Sequence, residues 1–239
     1  MFSLSWARCL TGAAVLSAAA ISTVASATTG SFESAPPLTV VGPGQADASY
    51  TEAGFTFTPT GGDALVDLSF CAVGVESCIR NNATTYLTAL NGAEVTITAP
   101  RAFSIQGLDV AFFPLPLPAP GLFAGALMGL QLSGTLWDGG LATLTLPLLE
   151  DAANPGDFLF EGWSIGNSPL FSSLTLGACA FIGPNCVRSG ADFDNAGFLF
   201  NDLQFAIDNL SLTSPAPSAL WLMALSLGGL ALTRRRLAR

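Results

Sequence analysis

The chain has 239 residues, of which half are hydrophobic and one-tenth are charged. All eight basic residues are arginine, so the histidine and lysine used in Ser-His-Asp, Cys-His and Schiff-base catalysis are absent from the sequence. All seventeen acidic residues lie between Glu33 and Asp208, and a body with this negative charge repels the phosphates of nucleic acids. We therefore expect that the protein is not an enzyme and does not bind nucleic acids.

Residues 1–27 have the three parts of a secretory signal peptide. Arg8 supplies the positive charge, residues 10–24 form an uncharged apolar run, and Ala25-Ser26-Ala27 is a small-x-small cleavage sequence. A permanent membrane helix is the alternative, but the apolar run is short for a span. We expect cleavage after Ala27 and export across the inner membrane.

The segment from residue 28 to 213 is predicted to be a single extracellular all-β domain. Runs that alternate between apolar and polar residues predict strands at 54–59, 93–98, 103–110, 130–137, 141–146 and 204–212. Turn sequences separate these runs, and Asp138-Gly139-Gly140 between two of them predicts a hairpin. No long stretch has helical periodicity. The pattern favours a jelly-roll-like β-sandwich.

Four cysteines remain after Cys9 is removed with the signal peptide, and they fall into two pairs of equal spacing. These pairs are Cys71 with Cys78 and Cys179 with Cys186. An even number of cysteines in an exported protein indicates disulfides, and we predict these two local bridges. Zinc is the alternative, but its sites use closer cysteine spacing and often histidine.

Residues 214–239 form a tail with three parts. It opens with Ser214-Pro215-Ala216-Pro217-Ser218 and continues as an uncharged run to Thr233. A helix over residues 218–233 would be about 24 Å long, and long arginine side chains can extend its reach to the membrane surface. The positive-inside rule keeps the arginine cluster in the cytoplasm as a membrane stop signal. A buried amphipathic helix is the alternative, but the run has no polar face. The cluster comprises Arg234, Arg235, Arg236 and Arg239.

This tail resembles the PEP-CTERM sorting signal, which exosortases process in Gram-negative bacteria that make exopolysaccharide. The family pattern is Pro-Glu-Pro, an apolar helix and an arginine cluster, and here Ala216 replaces the glutamate. The resemblance implies that an exosortase-like enzyme recognises Pro215, Ala216, Pro217 and Ser218 and cuts nearby. The protein would then be a single-pass membrane intermediate that moves to the cell surface or extracellular matrix. If Ala216 prevents cleavage, the protein stays a single-pass anchored one.

Two motifs of the body resemble the ends of the secreted sandwich domains that precede such tails. They are Phe32-Glu33 near the start and Gln204-Phe205 with Asp208-Asn209 near the end. Carbohydrate-binding jelly rolls often have a similar pair, and the resemblance implies that Glu33 and Asp208 share a structural Ca²⁺. Calcium takes six to eight oxygen ligands in proteins. The alternative is that both are ordinary surface acids. No other cofactor is expected.

Three functions are compatible with the sequence. The first is a non-enzymatic exported protein of the cell envelope or of an exopolysaccharide biofilm matrix, with a structural or adhesive body. The second is a carbohydrate-binding module with a defined glycan site, in which Trp137 and Trp163 would stack on sugar rings. The third is a glycosidase with two carboxylates, but no spacing among the acidic residues singles out a pair. We favour the first and expect no catalytic residues.

Overall fold

The computed structural model describes residues 26–36, 39–66, 84–112, 127–148, 150, 159–195 and 203–214. These residues form thirteen strands and one short helix, and every pair of strands is antiparallel. The strands are β1 (Ser26–Gly30), β2 (Thr39–Val41), β3 (Tyr50–Glu52), β4 (Phe55–Thr60), β5 (Ala64–Val66), β6 (Leu87–Ala89), β7 (Glu94–Phe112), β8 (Met128–Leu136), β9 (Leu141–Leu148), β10 (Glu161–Ser164), β11 (Phe171–Ile182), β12 (Asn185–Val187) and β13 (Phe205–Ser214), and the helix is α1 (Ala191–Asn195).

The long strand β7 belongs to two sheets. In the first sheet its N-terminal half lies in the order β3-β4-β7-β11-β8-β9, with β12 beside β11. In the second sheet its C-terminal half lies in the order β2-β5-β6-β13-β7-β10, with β1 beside β13. The pairing of β7 with β11 shifts between Thr98 and Phe103. This stretch includes Pro100, which has no backbone N–H to donate, and it forms the corner where the strand passes from one sheet to the other.

A single hydrophobic core lies between the two sheets. Phe55 and Phe57 of β4 are buried and alternate with half-buried threonines, which is the period of a strand with one face on a core. Phe32, which follows β1, packs its ring edge-on against Phe57 with the ring centres 5.3 Å apart. Because β1 belongs to the second sheet and β4 to the first, this contact joins the two facing sheets. Buried residues of both sheets form one cluster, so the fold is a β-sandwich.

The predicted hairpin at Asp138 is confirmed. Strands β8 and β9 pair continuously from Met128 with Leu148 to Thr135 with Leu141. Gly139 has a φ of 88°, in the region that favours glycine, and Asp138 accepts a hydrogen bond of 3.0 Å from the backbone N–H of Gly140. The local turn chemistry therefore produces the connection that the sequence predicted.

All six predicted strands are present, although residues 93–98 and 103–110 belong almost entirely to the single strand β7. Strand β11, which is central to the first sheet, is not among the six strands that the sequence pattern predicts. Residues from Leu176 to Ala180 of that strand are all buried. A strand covered on both faces lacks the alternation that reveals a half-buried strand.

The predicted disulfide between Cys179 and Cys186 is confirmed, with their Cα atoms 5.4 Å apart. Cys179 is fully buried in β11, and Cys186 lies in β12, which turns back on β11 so that Phe181 and Cys186 are paired. The predicted pair of Cys71 and Cys78 lies outside the described residues.

The chain enters and leaves the sandwich at one end. Strands β1 and β13 pair from Ser26 with Ser214 to Gly30 with Leu210, so the first and last described residues are neighbours. We call this the terminal end of the sandwich. Most of the predicted signal peptide and the tail from residue 215 onward lie outside the described residues. Within the described residues, no helix has the length and apolar character needed to cross a membrane.

Candidate functional site

A shallow groove lies on the outer face of the second sheet, where β13, β7 and β10 run side by side. Its volume is about 350 Å³. On these strands, Leu108, Val110 and Leu210 are buried on the core side. The residues next to them in the chain face outward and are more exposed, namely Gly107, Asp109, Asn209 and Ser211. The groove is lined by Gln106, Gly107, Leu108, Asp109, Gly162, Trp163, Ser164, Asn209 and Ser211.

Two glycines on adjacent strands form the floor of the groove. Gly107 of β7 pairs with Ser164, and Gly162 of β10 pairs with Asp109. A Cβ atom on Gly107 would lie 2.7 Å from the backbone oxygen of Trp163, so this position cannot take a side chain without moving β10. A Cβ atom on Gly162 would meet only the Asp109 carboxylate, at 3.0 Å. The space above Gly162 is therefore open to a ligand.

A bulge in β13 lies beside this floor. The pairing of β13 with β7 shifts between Asp208 and Ser211, and Asn209 has a φ of 46°. Asparagine occupies this left-handed region more readily than most residues other than glycine. The exposed Asn209 side chain donates a hydrogen bond of 2.8 Å from Nδ2 to the Asp109 carboxylate. Bulges often re-aim side chains next to functional sites, and this one turns an amide toward the groove.

A buried carboxylate next to the bulge stabilises it. Asp208 is fully buried. Its Oδ1 accepts a hydrogen bond of 2.7 Å from the backbone N–H of Asn209, and its Oδ2 accepts one from the Thr84 hydroxyl. A buried charge is costly unless it is hydrogen-bonded, and these two donors stabilise it. Asp208 thus ties the bulge to the segment that precedes β6.

The structure brings the two acids predicted to share calcium close to the same segment. Glu33 accepts hydrogen bonds from the backbone N–H of Thr85 at 2.9 Å and from its hydroxyl at 3.2 Å. Asp208 binds the neighbouring Thr84. Two carboxylates and two hydroxyls are oxygen donors of the kind that calcium takes. The described residues contain no group of three or more His, Cys, Asp or Glu that could hold a metal. The shared calcium stays a prediction from the resemblance.

The charge of the groove is slight. Among the lining residues that the structure describes, Asp109 is the only charged one. Glu161 is a neighbour on β10, but it pairs with Val110 and is half-buried, and burial raises the pKa of its carboxyl. The rest of the polar lining consists of the amides of Gln106 and Asn209 and the hydroxyls of Ser164 and Ser211, which both donate and accept hydrogen bonds.

The two tryptophans predicted as sugar platforms lie in different sheets. Trp163 pairs with Leu108, packs partly buried against the core, and has a buried Nε1 without a hydrogen-bond partner. It lines the groove, although its pairing with Leu108 aims the ring at the core. Trp137 follows β8 and is 66% exposed. The two rings therefore do not form one site.

Most of the groove residues carry no signal in the sequence pattern. One signal was present, because Gly107 interrupts the alternating run of β7, and a glycine inside a strand often marks a close backbone approach. Asp109 is one of seventeen acids in the chain, and the sequence alone did not distinguish it. The predicted sorting motif and stop signal, residues 215–218 and 234–236, lie outside the described residues.

Comparison with known proteins gives distant similarities only. No known family and no curated protein matches the sequence. Among solved structures, the chain is similar to a CBM32 domain of a family 31 glycoside hydrolase from Clostridium perfringens, with 13% identity, a TM-score of 0.31, and 59% of this chain and 81% of that one covered.

Two further solved structures are similar to the chain. One is the CBM22-1 xylan-binding domain of Xyn10C from Paenibacillus barcinonensis, with 8% identity, a TM-score of 0.32, and 80% of this chain and 95% of that one covered. The other is the enzymatically active domain of tailspike protein 4 from bacteriophage CBA120, with 10% identity, a TM-score of 0.28, and 67% and 19% covered. Because all three TM-scores are below 0.5, these similarities do not define the fold. The fold is defined by the strand pairing and the shared core.

Proposed function

We propose that this protein is an exported, non-enzymatic module that binds neutral glycans in the groove on its second sheet. Its tail would hold it in the inner membrane until an exosortase-like enzyme sorts it to the cell surface or exopolysaccharide matrix. We also assign the sandwich to the jelly-roll type, following the strand and turn pattern of the sequence. The observation that carries the proposal is the groove itself, in which a floor of two glycines is bordered by amides, hydroxyls and one carboxylate.

The chemistry of the groove suits a sugar ring. Because Gly107 and Gly162 have no side chains, a flat ring can approach the backbone of two strands. A carboxylate accepts hydrogen bonds from sugar hydroxyls, and an amide both accepts and donates them. Asp109 disfavours acidic polymers, since the described lining residues include no arginine to neutralise them. Neutral polysaccharides are therefore the favoured class.

The same groove disfavours hydrolysis of the glycan. Glycosidases of the usual kind need two carboxylates on either side of the scissile bond, about 5 to 10 Å apart. The described lining of the groove holds one, Asp109, and its Oδ2 already accepts a hydrogen bond from Asn209. We therefore propose binding without catalysis.

The test is affinity electrophoresis of the full-length protein in native gels that contain a neutral glucan, xylan, mannan or galactan. We expect at least one polymer to retard the protein, and Gly162→Thr to abolish most of the retardation. Threonine suits an exposed strand position, and its Cβ atom would meet only the side chain of Asp109, so we expect the melting temperature not to fall. A variant that binds as well as the original protein would rule out this groove as the glycan site.

Gly166→Ala is the matched control, because a Cβ atom at this nearby glycine would meet no atom within 4 Å. It should leave the retardation unchanged. The absence of retardation by any of the four polymers would count against glycan binding and favour a structural matrix role. Release of reducing sugar from a retained polymer would instead support a glycosidase.

Sorting is tested separately by the intact mass of the protein from the membrane and from the medium of its host. We expect a body that begins at Thr28 and ends near residues 215–217. A protein that keeps its tail in the membrane fraction, with none in the medium, would show that Ala216 prevents processing.

A further inference from the structure

Three of the six large exposed apolar side chains among the described residues lie together at one end of the sandwich. Trp137 and Leu141, on either side of the β8–β9 turn, are 66% and 83% exposed. Leu170, in the connection before β11, is 42% exposed, and its backbone oxygen accepts a hydrogen bond of 2.9 Å from the N–H of Trp137. We call Trp137, Leu141 and Leu170 the apolar tip. Large apolar side chains that are exposed together commonly mark an interaction surface.

The apolar tip lies at the terminal end of the sandwich. The Ser214 hydroxyl, on the last described residue, donates a hydrogen bond of 3.2 Å to the backbone oxygen of Ala102 in the corner of β7. Phe103, the next residue, pairs with Phe171, and Phe171 also pairs with Leu136. These last two residues directly adjoin Leu170 and Trp137. A continuous row of paired backbone thus connects the exit of the chain to the apolar tip.

The sequence beyond Ser214 indicates what covers this end. The apolar run predicted to cross the membrane starts at Ser218, only four residues after Ser214. Four residues span at most about 14 Å when fully extended. A chain anchored by that run therefore keeps the terminal end close to the bilayer surface.

We propose that the apolar tip inserts into the outer interface of the inner membrane while the tail anchors the protein. Tryptophan favours the headgroup region, and leucine favours the acyl chains beneath it. The tip then acts as a second contact with the bilayer beside the tail, so the body has a fixed orientation instead of swinging on a short linker. This inference rests on the predicted span of the tail, and it is independent of glycan binding.

The experiment measures quenching of tryptophan fluorescence by brominated lipids in vesicles that contain the full-length protein. The double variant W6F/W221F removes the tryptophans of the two terminal segments and leaves Trp137 and Trp163. We expect brominated lipid to quench the emission of this variant. The further change Trp137→Phe should remove the quenching, because Trp163 packs against the core.

Leu127 provides a matched control, because it is 66% exposed, as Trp137 is, and precedes β8 at the opposite end of the sandwich. Leu127→Trp, added to W6F/W221F/W137F, should escape quenching by brominated lipid. Equal quenching of a tryptophan at position 127 and at position 137 would mean that both ends of the body contact the membrane, and it would overturn the proposal. So would the absence of quenching at Trp137.

A separate measurement keeps failure of the anchor distinct from failure of the tip. In W6F/W137F, brominated lipid should quench Trp221 if the tail spans the bilayer. If Trp221 is quenched and Trp137 is not, the anchor holds and the tip proposal is wrong. If neither is quenched, the tail does not span, and the proposal falls with it. Protection of Trp137 from acrylamide that increases with protein density, without quenching by lipid, would assign the tip to a second copy of the chain.

Discussion

Asn209 and Asp109 are joined by a hydrogen bond of 2.8 Å between strands β13 and β7, at the border of the proposed glycan groove. The amide donor lies on the bulged residue of β13, and the carboxylate acceptor lies on the adjacent strand β7. The bond therefore links the backbone irregularity of β13 to the only charged side chain among the described groove residues.

Substitution of Asn209 separates its backbone role from its side-chain role. Asn209→Gly and Asn209→Ala both remove the amide, and both should lose glycan retardation to the same degree. Because the φ of 46° disfavours alanine but suits glycine, Asn209→Ala should be less stable than Asn209→Gly by about 1–2 kcal/mol. Urea unfolding measures the difference. Equal stabilities would show that the bulge relaxes once the asparagine is gone.

Removal of the confirmed disulfide should lower stability. On the chain-entropy model, a bridge that closes a loop of about eight residues contributes roughly 2.5 kcal/mol. We expect Cys179→Ala/Cys186→Ala to lose about that much in the free energy of unfolding, measured with urea under oxidising conditions. Cys71→Ala/Cys78→Ala serves as the comparison for the second predicted bridge. An unchanged unfolding midpoint for the first pair would contradict a stabilising role for the bridge.

Calcium should stabilise the protein if Glu33 and Asp208 share an ion. We expect the melting temperature to rise when Ca²⁺ replaces EDTA, because a ligand that binds only the folded state stabilises it. Glu33→Gln should lose most of that increase, while it keeps one oxygen that can accept the hydrogen bond from the backbone N–H of Thr85. If EDTA leaves the melting temperature of the original protein unchanged, the two acids share no calcium and act as hydrogen-bond acceptors only.

Glu161 should make stability depend on pH. Burial raises the pKa of its carboxyl, so folding favours the protonated form. The favourable effect of the protonated carboxyl on the free energy of unfolding is fully present below the pKa of this carboxyl in the unfolded chain, about 4.3. It is lost as the pH rises through the pKa of the carboxyl in the folded state. Glu161→Gln should therefore melt at a higher temperature than the original protein at pH 7, with a gap that narrows toward pH 4. A gap that is independent of pH would exclude titration of Glu161 as its cause.

Several features followed from the sequence because their causes are local. The turn at Asp138-Gly139-Gly140 needs only the flexibility of glycine and one hydrogen bond from the aspartate. Cys179 and Cys186 are seven positions apart, within reach of a single hairpin. Alternating apolar residues revealed the half-buried strands, such as β4 with Phe55 and Phe57 buried. The sequence pattern did not predict strand β11, because part of this strand is buried on both faces.

The groove depends on relationships that no local pattern contains. Asp109 and Asn209 are one hundred positions apart and meet because β7 and β13 pair in one register, which the bulge then shifts. The same register decides which face each side chain takes, since a slip of one residue would turn every side chain of a strand to the other side. The sequence by itself therefore determined the all-β class, the hairpin and one disulfide. Only the tertiary structure decided that Gly107 and Gly162 share an outer face with Asp109. It also decided that the ring of Trp163 packs against the core. Both arrangements depend on the pairing between strands that are distant in the sequence.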